Sequence, residues 1–167
     1  MIRIRNRDEA DLTACVEALR TLNQASGYPS NWPADPVRWL RPAGTRYAWV
    51  AATDDTPVAG HLILRQSPAT ARSAEVSRLF VTPAAHRQGV ASALLQSAMN
   101  TAAEHDLDLF LDVTDHLQAA QALYRRVGFR LASTAPADWT TPDGHPAVLH
   151  RYTWDRSLHR PNNNPPT

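Results

Sequence analysis

The chain has 167 residues, 43% of them hydrophobic and 20% charged, with a formal net charge of +1 at pH 7. That length suits one domain with a real core, and that composition excludes a disordered or collagen-like chain. The near-zero charge carries no nucleic-acid or membrane-surface signature, and a single cysteine, Cys15, excludes a disulfide framework or a cysteine-based metal cluster.

Residues 2–5 alternate and predict a short strand. Asp8 is placed to cap a helix running to about Gln24, with Leu12, Val16, Leu19 and Leu22 as its apolar stripe and Cys15 on the same face. Residues 26–36 read as a loop broken by Gly27, Pro29, Pro33 and Pro36, and Pro36 suits the first position of a short helix ending near Leu40. Residues 46–52 and 58–66 predict a hairpin around residues 53–57. Residues 75–81, EVSRLFV, predict a buried strand that Pro83 stops. From Gly89 onward Val90, Ala91, Leu94, Leu95, Ala98, Met99 and Ala102 recur at helical spacing.

Residues 108–114 predict the next strand. Ala120, Leu123, Tyr124 and Val127 then share one face of a short amphipathic helix, and Gly128 suits a left-handed C-cap. Strands over 130–134 and 147–154 flank an expected loop over 135–146. The tail, residues 155–167, ends in PNNNPPT and is expected to be disordered, which leaves one domain over 1–154. No internal repeat is visible. No apolar run approaches the ~18 residues of a membrane span. The opening MIRIRNRDEADL does not read as a signal peptide, so a cytoplasmic protein is expected. All 17 basic residues are arginine, which with the many alanines and prolines points to high-GC coding.

The most informative stretch is the strand of 75–81 feeding the helix that starts after Gly89. Small residues at that start, Gly89, Ala91 and Ser92, let a ligand approach the backbone, and the free amides of a helix N-terminus attract anions. Such an arrangement can hold a pyrophosphate. A dinucleotide fold wants G-x-G-x-x-G and a P-loop wants G-x-x-x-x-G-K-[ST]; one glycine in the turn and no lysine in the chain exclude both. An ordinary strand-turn-helix also fits these residues taken alone.

His86-Arg87-Gln88-Gly89-Val90-Ala91 resembles motif A of the GNAT acetyltransferases, [QR]-x-x-G-x-[GA], with His86 in place of the first Gln or Arg. Residues 117–129, LQAAQALYRRVGF, are similar to the family's N-x-x-A-x-x-L-Y-x-x-x-G-F. The match falls at Ala120, Leu123, Tyr124, Gly128 and Phe129, while Leu117 stands where asparagine is common. Both segments occur in the family's order, separated by a strand, and the resemblance covers most of residues 2–154.

The resemblance implies an α/β (α+β mixed) fold. Its mostly antiparallel sheet of about seven strands splays open between the fourth and fifth and is flanked by about four helices. It implies an acetyl-CoA-dependent N-acyltransferase with no metal. Leu79, Phe80 and Val81 would line the pantetheine arm, with the Leu79 amide facing the thioester carbonyl. Arg87, Gln88, Gly89, Val90, Ala91 and Ser92 would hold the pyrophosphate. Tyr124 matches the family's proton donor to the departing thiolate, though a core tyrosine also fits. Glu75 matches a glutamate used as base in some members. It lies four residues before Leu79, about 13 Å along a strand, which favours a water relay. A glutamate paired with Arg65 or Arg78 also fits, and His61 and His116 are rival bases.

The acceptor region is the least legible. Tyr28, Trp32, Trp39 and Trp139 are candidates for an aromatic pocket around a compact amine, and Asp35, Asp138 and Asp143 for attracting its charge. A core role for these aromatics fits as well. The leading acceptor is a small-molecule amine, with a protein N-terminus or lysine second. A non-catalytic acyl-CoA sensor is a further alternative. No nucleic-acid or membrane partner is expected, and the chain is expected to be a monomer or a homodimer.

Overall fold

The computed structural model describes residues 1–159. The chain order is β1 (Arg3–Asn6), α1 (Leu12–Ser26), α2 (Pro36–Trp39), β2 (Thr45–Ala52), β3 (Gly60–Gln66), β4 (Ser73–Val81), α3 (Val90–Glu104), β5 (Asp108–Thr114), α4 (Gln118–Val127), β6 (Arg130–Thr140) and β7 (Pro146–Trp154). The seven strands form one sheet in the order β1-β2-β3-β4-β5-β7-β6. Every pairing is antiparallel except β4 with β5, whose parallel crossover is α3. This is the mixed α/β architecture that the sequence resemblance implied.

The two faces of the sheet carry separate cores. On one, the stripe of α1 (Leu12, Cys15, Val16, Leu19, Leu22) packs with Leu40, Val50, Val58 and Phe80. On the other, Leu94, Leu95, Ala98 and Met99 of α3 pack with Leu62, Leu64, Val76, Leu109 and Leu111. Because β3 is covered on both faces, its apolar run is continuous rather than alternating.

Several elements differ from the sequence expectation. Asp8 precedes a 3-10 turn (Glu9–Asp11) rather than the α-helix itself. The side chain of Asp11 accepts from the Asp8 N–H at 2.7 Å and from Arg5 through two bonds of 2.7 Å, tying β1 to α1. The sixth strand runs on to Thr140, where a loop from 135 was expected. Pro136 is tolerated because β6 is the outermost strand and register shifts absorb the irregularity. Residues Arg156–His159, expected in a disordered tail, form a 3-10 turn. Arg156 there reaches Asp108 at 3.5 Å and Asp106 at 3.7 Å. The rest of the expected tail, 160–167, lies outside the described residues. Among the described residues no helix is long and apolar enough to cross a membrane.

Candidate functional site

The parallel pairing of β4 and β5 covers only Ser73↔Asp108, Ala74↔Leu109 and Glu75↔Phe110. Beyond Glu75 the two strands part, so the sheet opens toward their C-terminal ends. The edge of β4 that faces this gap has backbone groups to offer. Thr82 N–H donates to Ala59 C=O at 2.9 Å. Bonded and non-bonded pairs alternate along an antiparallel ladder. Val81, opposite Gly60, therefore turns its own N–H and C=O away from β3 and into the gap. The His86 ring bonds through Nε2 to that Val81 carbonyl at 2.9 Å. By the same alternation Phe80, opposite His61, spends its backbone on β3, and its ring stacks on His61 with centroids 5.0 Å apart. Of the three residues expected to line a pantetheine arm, Leu79 and Val81 border the gap and Phe80 belongs to the core.

The strand leads into a loop shaped for an anion. Arg87 and Gly89 both have positive φ, 63° and 78°. Such alternation turns successive N–H groups to one side. Among the described residues no backbone carbonyl accepts from the six amides of Arg87 through Ser92, because the first bond of α3 runs from Ala93 N–H to Gly89 C=O. A Cβ built on Gly89 would meet nothing within 4 Å, so the approach to this loop is open. The helix is also seated close to the sheet. A Cβ at Gly60 would lie 2.8 Å from Val90 Cγ1 and 3.0 Å from Leu94 Cδ1. Gly60 thus sets how near the first turn of α3 comes to β3, a role that spacing alone did not reveal.

A bulge in β4 shapes the opposite face. The register jumps from His61↔Phe80 to Ile63↔Ser77, so Leu62 faces both Arg78 and Leu79. Arg78 takes φ 53°, a sparsely populated conformation for a residue with a side chain. Two contacts hold it there. His61 Nδ1 bonds to the Arg78 carbonyl at 2.8 Å, and Arg78 Nε donates to the Trp39 carbonyl at 3.0 Å. Arg7 Nη1 lies 2.9 Å from His61 Nε2 and donates to the Leu40 carbonyl at 2.7 Å. An arginine can only donate, so His61 accepts at Nε2 and carries its proton on Nδ1. The imidazole is fully buried, and that burial pushes its pKa down to about 3. With its lone pair occupied, His61 is a strut of the bulge and not a free base.

Glu75 lies on this same face. Ala74 and Val76 point into the α3 core, which leaves Glu75 and Ser77 on the α1 side. Arg65 is opposite Glu75 on β3 and Phe110 is opposite it on β5. The carboxylate is half-buried and makes no ion pair with Arg65 or Arg78. His116 is exposed in the turn before α4. Tyr124 projects from α4 beside Phe129 and Tyr152, at ring distances of 6.1 and 6.2 Å. Burial, with a further push from the Tyr28 phenol, raises its pKa to about 12. Tyr28 is itself pushed up by burial and pulled back by Arg78.

The aromatic candidates divide. Tyr28, Trp32 and Trp39 pack together against the α1 core, with Tyr28 edge-on to Trp39 at 6.4 Å and Arg20 over Trp32 at 5.0 Å. Trp139 sits apart from that cluster on the outer strand β6, 47% exposed. Asp35 caps α2 by accepting from Arg38 N–H at 3.0 Å, and Asp143 bonds Thr141 in the β6–β7 turn, so both carboxylates have local partners. Arg78 and Arg7 were missed as site residues. The one available signal, for Arg78 alone, was an arginine next to the apolar end Leu79-Phe80-Val81 of β4. Among the described residues no group of three or more His, Cys, Asp or Glu side chains could hold a metal ion.

Comparison with known proteins agrees with this fold. The model of the acetyltransferase (GNAT) family matches residues 14–129. An uncharacterized N-acetyltransferase of Mycobacterium tuberculosis (strain H37Rv) is 32% identical over 90 residues. That match covers 53% of this chain and 56% of the relative, so the chain spans about half the length of the curated relatives it matches. In fold, the chain is similar to the ribosomal-protein-S18-alanine N-acetyltransferase from Escherichia coli. The TM-score is 0.76 at 19% identity, with 100% of both chains covered. A GCN5-related N-acetyltransferase from Kribbella flavida gives a TM-score of 0.73 at 24% identity over 92% of this chain and 97% of that one.

Proposed function

The chain belongs to the acetyltransferase (GNAT) family, and from that premise we propose that it transfers the acetyl group of acetyl-CoA to the primary amine of a small molecule. The observation that carries this reading is the joint presence of an open β4 edge and six unspent amides where that edge meets α3. The gap suits an extended arm that pairs with backbone, and the loop suits a pyrophosphate. Open space at Gly89 supports the fit.

Acetyl-CoA, when bound, supplies an acetyl group activated as a thioester. Arg87 through Ser92 hold the pyrophosphate by their amides, and Val81 N–H pairs with the pantetheine arm. Glu75, unpaired on the acceptor face, takes the proton from the acceptor ammonium through a water, which frees the nitrogen lone pair for attack. The Leu79 N–H donates to the carbonyl oxygen as negative charge builds there. Tyr124, held protonated by burial, presents its O–H to the departing sulfur.

The test is a thermal shift with acetyl-CoA, CoA and NAD⁺ in parallel, followed by thiol release with an amine panel. A ligand at 100 times its Kd stabilises by roughly 2.7 kcal/mol, which a melting curve resolves. A rise with the two CoA forms alone, and thiol release with amines, is the expected result. No rise at saturation sinks the cofactor assignment. Binding without release by any amine makes the protein an acyl-CoA sensor, and release with peptides alone moves the acceptor to a protein.

A further inference from the structure

On the α1 side of the sheet Arg78 is a cation with no ion-pair partner among the described residues, its nearest acidic influence being the longer-range pull of Glu75. Arg78 is half-buried, with its guanidinium 4.2 Å over the Trp39 ring. Its Nε is spent on the Trp39 carbonyl and its Nη1 on Ser77 Oγ at 3.2 Å. Among the described residues no carboxylate is ion-paired with it and Nη2 has no hydrogen-bond partner. Burying a charge without an anion is costly, and the φ of 53° adds strain. A position that holds both costs is one where a ligand can repay them.

The neighbouring charges leave the imbalance in place. Arg151 is satisfied by Asp112 through bonds of 2.9 Å. Glu75, opposite Arg65, attracts the Arg78 guanidinium but forms no ion pair with it, so the Nη groups keep hydrogen-bonding capacity. Arg78 is next in sequence to Leu79, where the thioester carbonyl would sit, so its guanidinium and the reacting amine are separated by a few bonds of a small acceptor. Trp39 lies under the guanidinium, and Tyr28 packs edge-on to Trp39 at 6.4 Å.

We propose that Arg78 binds a carboxylate of the acceptor, so that the substrate class is a compact amino acid rather than a simple amine. Guanidinium N–H groups reach the carboxylate oxygens while Nε keeps its bond to Trp39. The Trp39 contact and the His61 bond on the Arg78 carbonyl hold the side chain in place before the ligand arrives. The inference rests on the acetyl-transfer reading and specifies its acceptor.

The test compares matched pairs, each α- or ω-amino acid against its own amide. Thiol release gives kcat/KM, and calorimetry on the CoA-loaded protein gives the affinity for each N-acetylated acid and N-acetylated amide. The acid is expected to exceed its amide by about 10- to 100-fold, the value of one charge-assisted hydrogen-bonded contact. In Arg78→Met that ratio is expected to collapse toward one, while Arg46→Gln, an exposed arginine on β2, keeps it. A panel in which no acid outperforms its amide, in turnover or in binding, overturns the proposal whether or not the variant folds. A ratio that survives in Arg78→Met overturns it too. Failure of acetyl-CoA to stabilise the protein is a separate result, and it removes the acetyl-transfer reading itself.

Discussion

His61 Nδ1 lies 2.8 Å from the carbonyl of Arg78, so a buried imidazole on β3 fixes the bulge of β4 from the neighbouring strand. Arg7 occupies the other ring nitrogen at 2.9 Å. A second proton on this ring would place a cation in the core and remove the acceptor that Arg7 uses. The native state therefore resists protonation, and the pKa falls to about 3.

Stability then depends on pH through this residue. The unfolded chain binds the proton near the ordinary value of 6.5, and the folded chain does not until about 3. The unfolded state holds more protons between those limits, so the contribution of His61 is complete above pH 6.5 and is lost as pH falls toward 3. By pH 4.5 about 2–3 kcal/mol should be gone. Urea unfolding at pH 7.5 and 4.5 measures it. His61→Gln should be less stable at pH 7.5 but should lose distinctly less on acidification. Equal losses in both proteins would show that other groups carry the acid sensitivity.

Tyr124→Phe should lower kcat about 100-fold with the Kd for CoA changed less than twofold. The hydroxyl is lost, while the ring that packs on Phe129 and Tyr152 is kept. Single-turnover kinetics beside a CoA titration separates the two quantities. A weakened CoA affinity with unchanged kcat would make Tyr124 a binding residue.

Gly60→Ala should destabilise the fold by about 1–3 kcal/mol through overpacking, because the added carbon would lie 2.8 Å from Val90 and 3.2 Å from the Phe80 carbonyl. The same clash pushes the start of α3 off the sheet, so the Kd for CoA should rise as well. Gly89→Ala differs in kind. Its Cβ meets nothing, and the strain comes from φ 78°. It should cost about 1 kcal/mol in the free protein and weaken CoA more than it lowers stability. Melting curves with and without CoA distinguish the two glycines.

Local patterns were legible where one residue type has one physical use. Helical spacing after Gly89, the left-handed cap at Gly128 and the paired β2 and β3 runs could each be read from order alone. The turn before α3 was legible for the same reason, since its shape is made of backbone and needs only a small residue at Gly89. The bulge was not. Nothing in EVSRLFV says that Leu62 faces two residues, because register depends on the partner strand. His61 looked like a rival base for that reason, and its burial between Arg7 and Arg78 became visible only with β1, β3 and β4 side by side. The length of β6 was hidden by Pro136, which an outer strand accepts and an inner one does not.

The identity of the base can be settled by a comparison of two residues. Glu75 is half-buried on the face that α1 covers, at the point where β4 and β5 part, and it has no ion pair to Arg65 or Arg78. His116 is exposed in a turn. A base must reach the acceptor nitrogen directly or through one water, and an exposed turn residue is not held to do so. Glu75→Gln keeps the shape and removes the proton acceptor, so kcat should fall about 100- to 1000-fold with CoA affinity and melting temperature nearly unchanged. His116→Ala should leave kcat within twofold. The reverse pattern would move the base to the β5–α4 turn. A Glu75→Gln protein that melts early and binds CoA poorly would instead make Glu75 a structural partner of the strand, leaving water alone to deprotonate the acceptor.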